Sequence, residues 1–171
     1  VLINSEPVTM KAATLALAEI GIAADRRDFE PYIGAGEEKF ITEPCRAHGK
    51  ESLAPSALKR LYELFDSLVY DELFVYPSVH RLLDELKSRG IHMAIASSSA
   101  REKLIASLDA AKIQQTLFDT IITGSDVSQK KPSPEIYLTA MKKLGAEPGE
   151  CIVIEDALSG IASAKAAGCI C

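Results

Sequence analysis

The chain has 171 residues, of which 47% are apolar, so it is large enough for one ordinary domain or for a core with a modest insertion. Its formal charge is -5, and lysine and arginine are not concentrated in any stretch, which argues against a nucleic-acid-binding surface. The sequence has no apolar run long enough to span a bilayer and no signal-like leader, so we expect neither a nucleic acid nor a membrane as a partner.

The four cysteines lie at positions 45, 151, 169 and 171 and lack the paired spacing of a metal site. This usage is typical of a protein that is kept reduced in the cytoplasm. Cys169 and Cys171 form a C-x-C, which fits a redox or metal pair but fits two positions of a terminal apolar strand better.

The first half of the chain is patterned as helices. Apolar residues at helical spacing predict one helix over 7–21 and another over 55–70, and a further helix is predicted to begin near position 36. The acids and lysine at 37–39 are expected to face outward from that middle helix. Residues 7–74 are therefore predicted to form an all-helical unit.

The second half alternates helices with short apolar strands. A helix over 77–89 precedes an apolar run at 91–96, and the same order recurs before the runs at 118–122 and 151–154. Such alternation predicts a parallel sheet with helices on both faces. The fold class is therefore α/β, a Rossmann-like doubly wound core to which the helical unit is attached.

Two adjacent carboxylates, Glu155 and Asp156, follow the last of these strands, and a helix is predicted from there to Gly168. Ligands bind at the carboxyl edge of such sheets, and hard oxygen ligands suit Mg²⁺. The alternative is that both acids simply begin the helix, as acids often do.

Three serines, Ser97, Ser98 and Ser99, follow the strand at 91–96. Ser99 and Glu102 have the spacing of a capping box for the next helix. Hydroxyls beside exposed helix amides form a phosphate seat. The alternative is that the serines only cap and turn the chain.

Lys131 precedes Pro132, with Ser133 predicted as a helix N-cap and Pro134 as the first helical residue. The lysine is expected to project toward the same solvent-facing rim as the serines and the acids. The alternative is a solvated surface charge.

Hydroxyl, ammonium and paired carboxylates at successive strand ends are the groups that phosphoryl transfer needs. Their order resembles the beta-phosphoglucomutase-like branch of the haloacid dehalogenase (HAD) superfamily, whose motifs are D-x-D-G, Ser or Thr, Lys, and an acidic pair. The resemblance is carried by residues 94–99, 131–137 and 154–161, and residues 1–7 resemble the segment that immediately follows D-x-D-G.

The resemblance implies roles for these residues. Ser97, Ser98 and Lys131 would bind the transferring phosphoryl group, with Ser97 and Lys131 catalytic, and Glu155 and Asp156 would hold Mg²⁺. Residues 7–74 would be a helical cap, and residues 1–6 and 75–171 the core. The substrate would be a small phosphorylated metabolite.

The sequence also departs from the family pattern. The nucleophilic aspartate and the acid/base aspartate would lie before Val1, and with them the first, central strand of the sheet. We therefore expect a piece truncated at both ends, inactive alone, whose intact parent is a monomeric cytoplasmic Mg²⁺-dependent phosphatase.

In the cap, residues 34–37 stand where the mutase has a substrate-binding arginine, and Thr9 stands where many members have histidine. A phosphatase is therefore favoured over a sugar-phosphate mutase, with Glu37 and Lys39 as candidate substrate contacts. A non-catalytic HAD-like binding or regulatory protein remains an alternative. A receiver-like or nucleotide-binding Rossmann domain is disfavoured because no G-x-G-x-x-G follows a strand.

Overall fold

The computed structural model of the protein describes residues 1–33 and 36–171. Gly34 and Ala35, which belong to the segment that stands in place of the mutase arginine, lie outside the described residues. No helix in the described part of the chain is long and apolar enough to cross a membrane.

The first part of the chain is helical, as the apolar spacing predicts. Its helices bury a common cluster in which Leu17, Ile41 and Phe65 are fully enclosed, and side chains of this size each contribute about 1.5–3 kcal/mol when buried. The helices are α1 (Glu6–Glu19), α2 (Arg26–Phe29), α3 (Lys39–Ala47) and α4 (Ala54–Glu72). We call α1–α4 the helical unit; the domain boundaries at 7 and 74 stay a prediction.

The remainder, which we call the α/β unit, alternates helices and strands. The strands β3 (Ala94–Ala96) and β4 (Thr120–Ile122) are parallel, with their residues opposite one another in that order. A short antiparallel pair, β1 (Ile3–Asn4) with β2 (Phe74–Val75), lies at the junction with the helical unit. The elements are β1 (Ile3–Asn4), β2 (Phe74–Val75), α5 (Val79–Ser88), β3 (Ala94–Ala96), α6 (Arg101–Ala110), β4 (Thr120–Ile122), α7 (Glu135–Leu144) and α8 (Leu158–Ala166).

Helices cover both faces of the β3–β4 sheet, as predicted for a doubly wound core. Successive strand residues point to opposite faces. Accordingly, Ile95 and Ile121 pack on the cluster formed with α5 and α6, whereas Ala96 and Ile122 pack with α7 and α8.

The predicted strand at 151–154 is the main difference in this half. It makes a single parallel bridge, Ile152 to Ile170, supported by a 2.7 Å hydrogen bond from Val153 N to Ile170 O. One bridge does not make a ladder, and within the described residues no backbone hydrogen bond joins this segment to β3. The absence of a central strand from the sheet stays a prediction.

The bridge also bears on the C-x-C at the end of the sequence. Cys169 is buried and Cys171 is exposed, although residues i and i+2 of a regular strand share a face, so the bridge at Ile170 does not extend into a strand that contains both cysteines. All four cysteines are free thiols, and the described residues contain no group of three or more His, Cys, Asp or Glu side chains that could hold a metal. The interpretation of the C-x-C as two positions of a terminal strand stays a prediction.

Three predictions about helix starts are wrong. α3 begins at Lys39, and Glu37 is buried rather than outward-facing because it bonds to the α/β unit. The Ser99–Glu102 capping box is absent, since α6 starts after Ala100 without a side-chain cap of its own. α7 begins at Glu135 with Pro134 as its cap, one residue later than predicted.

Candidate active site

The serine loop, Ser97–Ser99, is held at the carboxyl end of the sheet by backbone contacts. Ser97 N donates to Ile122 O at 2.9 Å, and Gly124 N donates to Ser99 O at 2.9 Å. A Cβ on Gly124 would overlap the carbonyl oxygen of Ser98, so only glycine allows the two backbones to approach this closely. The loop is thus fixed between the ends of β3 and β4.

Lys131 lies under this loop as a buried cation. Its Nζ donates to Ala96 O at 3.1 Å and to Glu155 Oε2 at 2.6 Å, and the Lys131 and Glu155 side chains are only 7% and 9% exposed. The expectation of a solvent-facing lysine is therefore wrong: Lys131 is an internal partner of Glu155. The ion pair spans from the end of β3 to the acidic segment.

Every acceptor position of the Glu155 carboxylate is occupied in this arrangement. Oε2 also accepts from the Tyr137 hydroxyl at 2.7 Å, and Oε1 accepts from the backbone N of Asp156 and of Ala157, both at 3.1 Å. Burial by itself raises the pKa of Glu155, but the Lys131 and Tyr137 hydrogen bonds outweigh burial and lower the pKa to about 2. Burial, together with the hydrogen bond to Glu155, raises the pKa of Tyr137.

The start of α8 is shaped around Glu155. A Cβ on Gly160 would overlap the Glu155 carboxylate, so a side chain there would push it away from Lys131. Ser163 Oγ donates to Ser133 O at 2.6 Å, which ties α8 to the segment that carries Lys131. The space at Gly160 and the Ser163–Ser133 hydrogen bond together hold Lys131 and Glu155 beside each other.

Asp156 differs from its neighbour because its side chain is 70% exposed. Its Oδ2 lies 3.4 Å from the main-chain N of Val1, so the start of the chain reaches the rim of the site. An exposed carboxylate is a suitable Mg²⁺ ligand, whereas Glu155 offers no unused lone pair unless one of its present bonds breaks. Asp156 therefore fits the metal, and the assignment of Glu155 as a second ligand stays a prediction.

Glu37 and Lys39, the two candidate substrate contacts from the helical unit, lie in different places. Glu37 lines a cleft of about 170 Å³ together with Ser98, Tyr62 and other residues, between the helical unit and the serine loop. Lys39 lies elsewhere, with its Nζ 6.0 Å from the centre of the Tyr32 ring.

Thr9, which stands in place of a histidine, is buried and donates to the carbonyl oxygen of Ser5, the residue just before α1. Its hydroxyl is therefore directed to the backbone at the start of α1.

The structure also adds residues that the sequence patterns did not single out. Tyr137, Gly160 and Gly124 all shape the site, and Lys103 contacts the serine loop through Ser99 Oγ at 3.4 Å. Tyr137 and Gly160 lie inside the segments 131–137 and 154–161 that carry the family resemblance. Their position in those segments is the sequence signal that could have identified them. Nothing in the sequence distinguishes Lys103 from other helical lysines.

A family model described as haloacid dehalogenase-like hydrolase matches residues 1–171. The chain belongs to the haloacid dehalogenase-like hydrolase family. Among solved structures, a putative beta-phosphoglucomutase from Thermotoga maritima superposes with a TM-score of 0.77 at 27% identity, covering 99% of this chain and 78% of that one. The resemblance to the beta-phosphoglucomutase-like branch and its α/β fold is therefore confirmed.

Two protein relatives differ greatly in length. Protein SUPPRESSOR OF QUENCHING 1, chloroplastic, from Arabidopsis thaliana is 37% identical over 174 residues, which is 100% of this chain but 16% of that protein. A phosphorylated carbohydrates phosphatase from Thermotoga maritima is 33% identical over 98% of this chain and 77% of its own length. Because the chain spans so little of the first relative, what that whole protein does is not transferable to this HAD-like chain.

Proposed function

We propose that the protein is a Mg²⁺-dependent phosphomonoester hydrolase acting on a small phosphorylated metabolite. The observation that carries the proposal is the juxtaposition of a buried lysine with the serine loop and the acidic pair. Lys131 donates to the carbonyl oxygen of Ala96, which precedes Ser97, and to the carboxylate of Glu155, which precedes Asp156. The name of the Thermotoga phosphatase supports the same substrate class.

The phosphoryl group would be held by unused protons at this rim. An ammonium carries three protons, and Lys131 directs two of them to Ala96 O and Glu155, which leaves one for a phosphoryl oxygen. The Ser97 hydroxyl accepts from Ser99 N at 3.2 Å and can still donate its own proton. Ser98 would line the entrance of the seat from the adjacent cleft.

Asp156 would hold the metal, together with oxygens from the substrate. When bound, Mg²⁺ would neutralise the charge that builds up on the phosphoryl oxygens. Glu155 would act mainly by fixing Lys131, because its carboxylate is already fully engaged.

The nucleophile is proposed to be an aspartate in the segment before Val1, as in the D-x-D-G motif of the family. Support comes from the 3.4 Å separation between Val1 N and Asp156 Oδ2, since residues 1–7 resemble the segment that follows D-x-D-G and Val1 lies at the rim of the site. Its carboxylate would attack phosphorus, the alcohol would leave with a proton from the second aspartate, and water would hydrolyse the aspartyl phosphate.

A hydrolase is favoured over a mutase by the charge of the cleft. A mutase must hold a second phosphate, but Lys130 is the one cation among the described lining residues, and it already pairs with Glu38 at 3.2 Å. The neighbouring Glu37 is a second carboxylate of the lining and supplies no cation for a phosphate.

We also propose a reducing compartment such as the cytoplasm, because all four cysteines are free thiols.

A screen of phosphorylated metabolites against the full-length protein that contains this chain tests the proposal, with phosphate release measured in the presence of Mg²⁺. We expect at least one phosphomonoester to be hydrolysed, and Asp156→Asn to lower turnover by roughly 10²-fold or more, since a ligand carboxylate supplies charge as well as geometry. Turnover of the Asn variant within a few-fold of wild type would exclude Asp156 as the metal ligand. Binding of phosphorylated compounds without any turnover would support the non-catalytic alternative.

A further inference from the structure

Glu37 belongs to the helical unit but makes its bonds across the cleft. Its side chain is almost completely enclosed, with the residue 6% exposed. Oε1 accepts from the backbone N of Ala100 at 3.0 Å and from the Tyr62 hydroxyl at 3.3 Å. Ala100 directly follows the serine loop, so a side chain of the helical unit is bonded to the end of the phosphate seat.

A buried cation completes this contact from the other side. Lys103, on the first turn of α6, lies 3.7 Å from Glu37 Oε2 and 3.4 Å from Ser99 Oγ. Its Nζ is also 5.1 Å from the centre of the Phe65 ring, which belongs to α4. Lys103 therefore touches both the helical unit and the serine loop.

The pKa values of Glu37 and Lys103 depend on each other. Burial by itself raises the pKa of Glu37, but Lys103 and the Ala100 amide outweigh burial and hold the pKa below its ordinary value. Burial lowers the pKa of Lys103, and Glu37 opposes that change. Lys103 and the Ala100 amide therefore favour the ionised form of Glu37.

The bond to Ala100 replaces a local helix cap. The first amides of a helix have no partner within the helix, and an anion near them is stabilising. α6 has no side-chain cap from its own flanking residue, and Glu37 takes that place from a distant part of the chain. The position of the serine loop is thereby coupled to the packing of the helical unit.

We propose that Glu37 is a positioning residue: it fixes the serine loop in its phosphate-binding geometry through Ala100, and only while the helical unit packs on the α/β unit. The inference rests on the proposed role of Ser97 in binding the phosphoryl group. It assigns Glu37 to the protein's own loop rather than to the substrate. Lys103 neutralises Glu37 and so makes the buried contact possible.

Two double variants separate this role from plain stability. Glu37→Gln with Lys103→Met removes both charges but keeps an oxygen for the Ala100 amide, whereas Glu37→Leu with Lys103→Met removes that oxygen as well. Replacing both members of a buried ion pair by neutral groups avoids an unpaired charge, so both doubles are expected to fold. The single variant Glu43→Gln is the control, because Glu43 pairs with Arg46 inside α3.

The measurement is the affinity of the full-length protein for inorganic phosphate with Mg²⁺ present, alongside the melting temperature. We expect the Gln double to bind phosphate within about threefold of wild type and the Leu double to bind about tenfold more weakly, the loss of one hydrogen bond to the loop. The backbone amide resonance of Ala100 should shift in the Leu double and not in the Glu43 control.

Equal phosphate affinity of the two doubles, when both are folded, would overturn the inference and leave Glu37 a purely structural residue. Absence of phosphate binding by the wild type would overturn the inference too, because the serine loop would then have no phosphate-binding geometry for Glu37 to fix. Phosphate binding without hydrolysis of any ester would refute the proposed function while leaving the role of Glu37 standing.

Discussion

At the scale of single residues, Lys131 and Glu155 show how burial changes the meaning of a motif. The sequence places a lysine and an acidic pair at one rim, and that proximity is found. It does not show that both side chains are enclosed and satisfied by each other, with Tyr137 as a third member. Burial makes the pair a determinant of stability, since removing one partner leaves a charge that water cannot reach.

Lys131→Met should therefore destabilise the protein by about 3–5 kcal/mol and also remove the proposed contact with the phosphoryl group. Urea unfolding gives the first effect, and turnover per folded molecule gives the second. Adding Glu155→Gln to this variant should restore much of the stability, because no buried charge is left unpaired, while turnover stays low. Unchanged turnover per folded molecule in either variant would make Lys131 structural only.

Glu155 should make stability depend on pH in acid. Its folded pKa is about 2, below its ordinary value of 4.5, so its contribution is complete above about pH 4.5 and is lost as the pH falls toward 2. The contribution is at most about 3 kcal/mol. Subtracting the urea-unfolding free energies of Glu155→Gln from those of wild type across this range isolates it. A constant difference would show that Glu155 is not held by its partners.

At the scale of elements, apolar spacing predicts where helices lie, because each helix buries one face. The helices at 7–21 and 55–70 are found as Glu6–Glu19 and Ala54–Glu72. Their ends are less predictable, since the cap of α6 comes from Glu37, which is 63 residues away from Ala100 in the chain. No local pattern can encode such a partner.

Replacing Gly160 in α8 by alanine is expected to change the stability of the protein in the direction opposite to the usual one. Replacing glycine by alanine inside a helix normally stabilises by about 1 kcal/mol, but here the new Cβ would overlap Glu155. We expect Gly160→Ala to destabilise the protein and to weaken the Lys131–Glu155 contact. Gly149→Ala is the control, because nothing lies within 4 Å of a Cβ at that position. Stabilisation by Gly160→Ala, measured by thermal melting, would show that Glu155 moves away easily.

At the scale of the whole molecule, one apolar surface stands out. Four large side chains near the acidic segment are between 58% and 86% exposed, and they are Ile152, Ile154, Leu158 and Ile170. The bridge between Ile152 and Ile170 places two of them side by side. Exposed apolar groups of this size favour association with other chains.

We expect this 171-residue chain, expressed alone, to associate in a concentration-dependent way. Ile152→Ser combined with Ile154→Ser should reduce the association without lowering the melting temperature, since both side chains are mostly outside the core. Sedimentation over a concentration series measures this. A monomer at all concentrations would contradict the expectation.

The overall fold was more predictable than the site. Order and polarity of the motifs in one chain identify the family, because ligand-binding groups must follow successive parallel strands. Which groups are buried depends on contacts between distant segments, such as Lys131 with Ala96 and Glu37 with Lys103. These contacts exist only after packing, so composition and spacing do not reveal them.

The most direct test of the account is phosphate release by the full-length protein as Mg²⁺ is withdrawn and returned. With a phosphomonoester substrate from the screen, we expect hydrolysis to stop when a chelator removes the metal and to resume when Mg²⁺ is added back, and neither phase to occur in Asp156→Asn. Hydrolysis that continues unchanged through chelation, or that persists in the Asn variant, would contradict the claim that this rim performs Mg²⁺-dependent phosphoryl transfer.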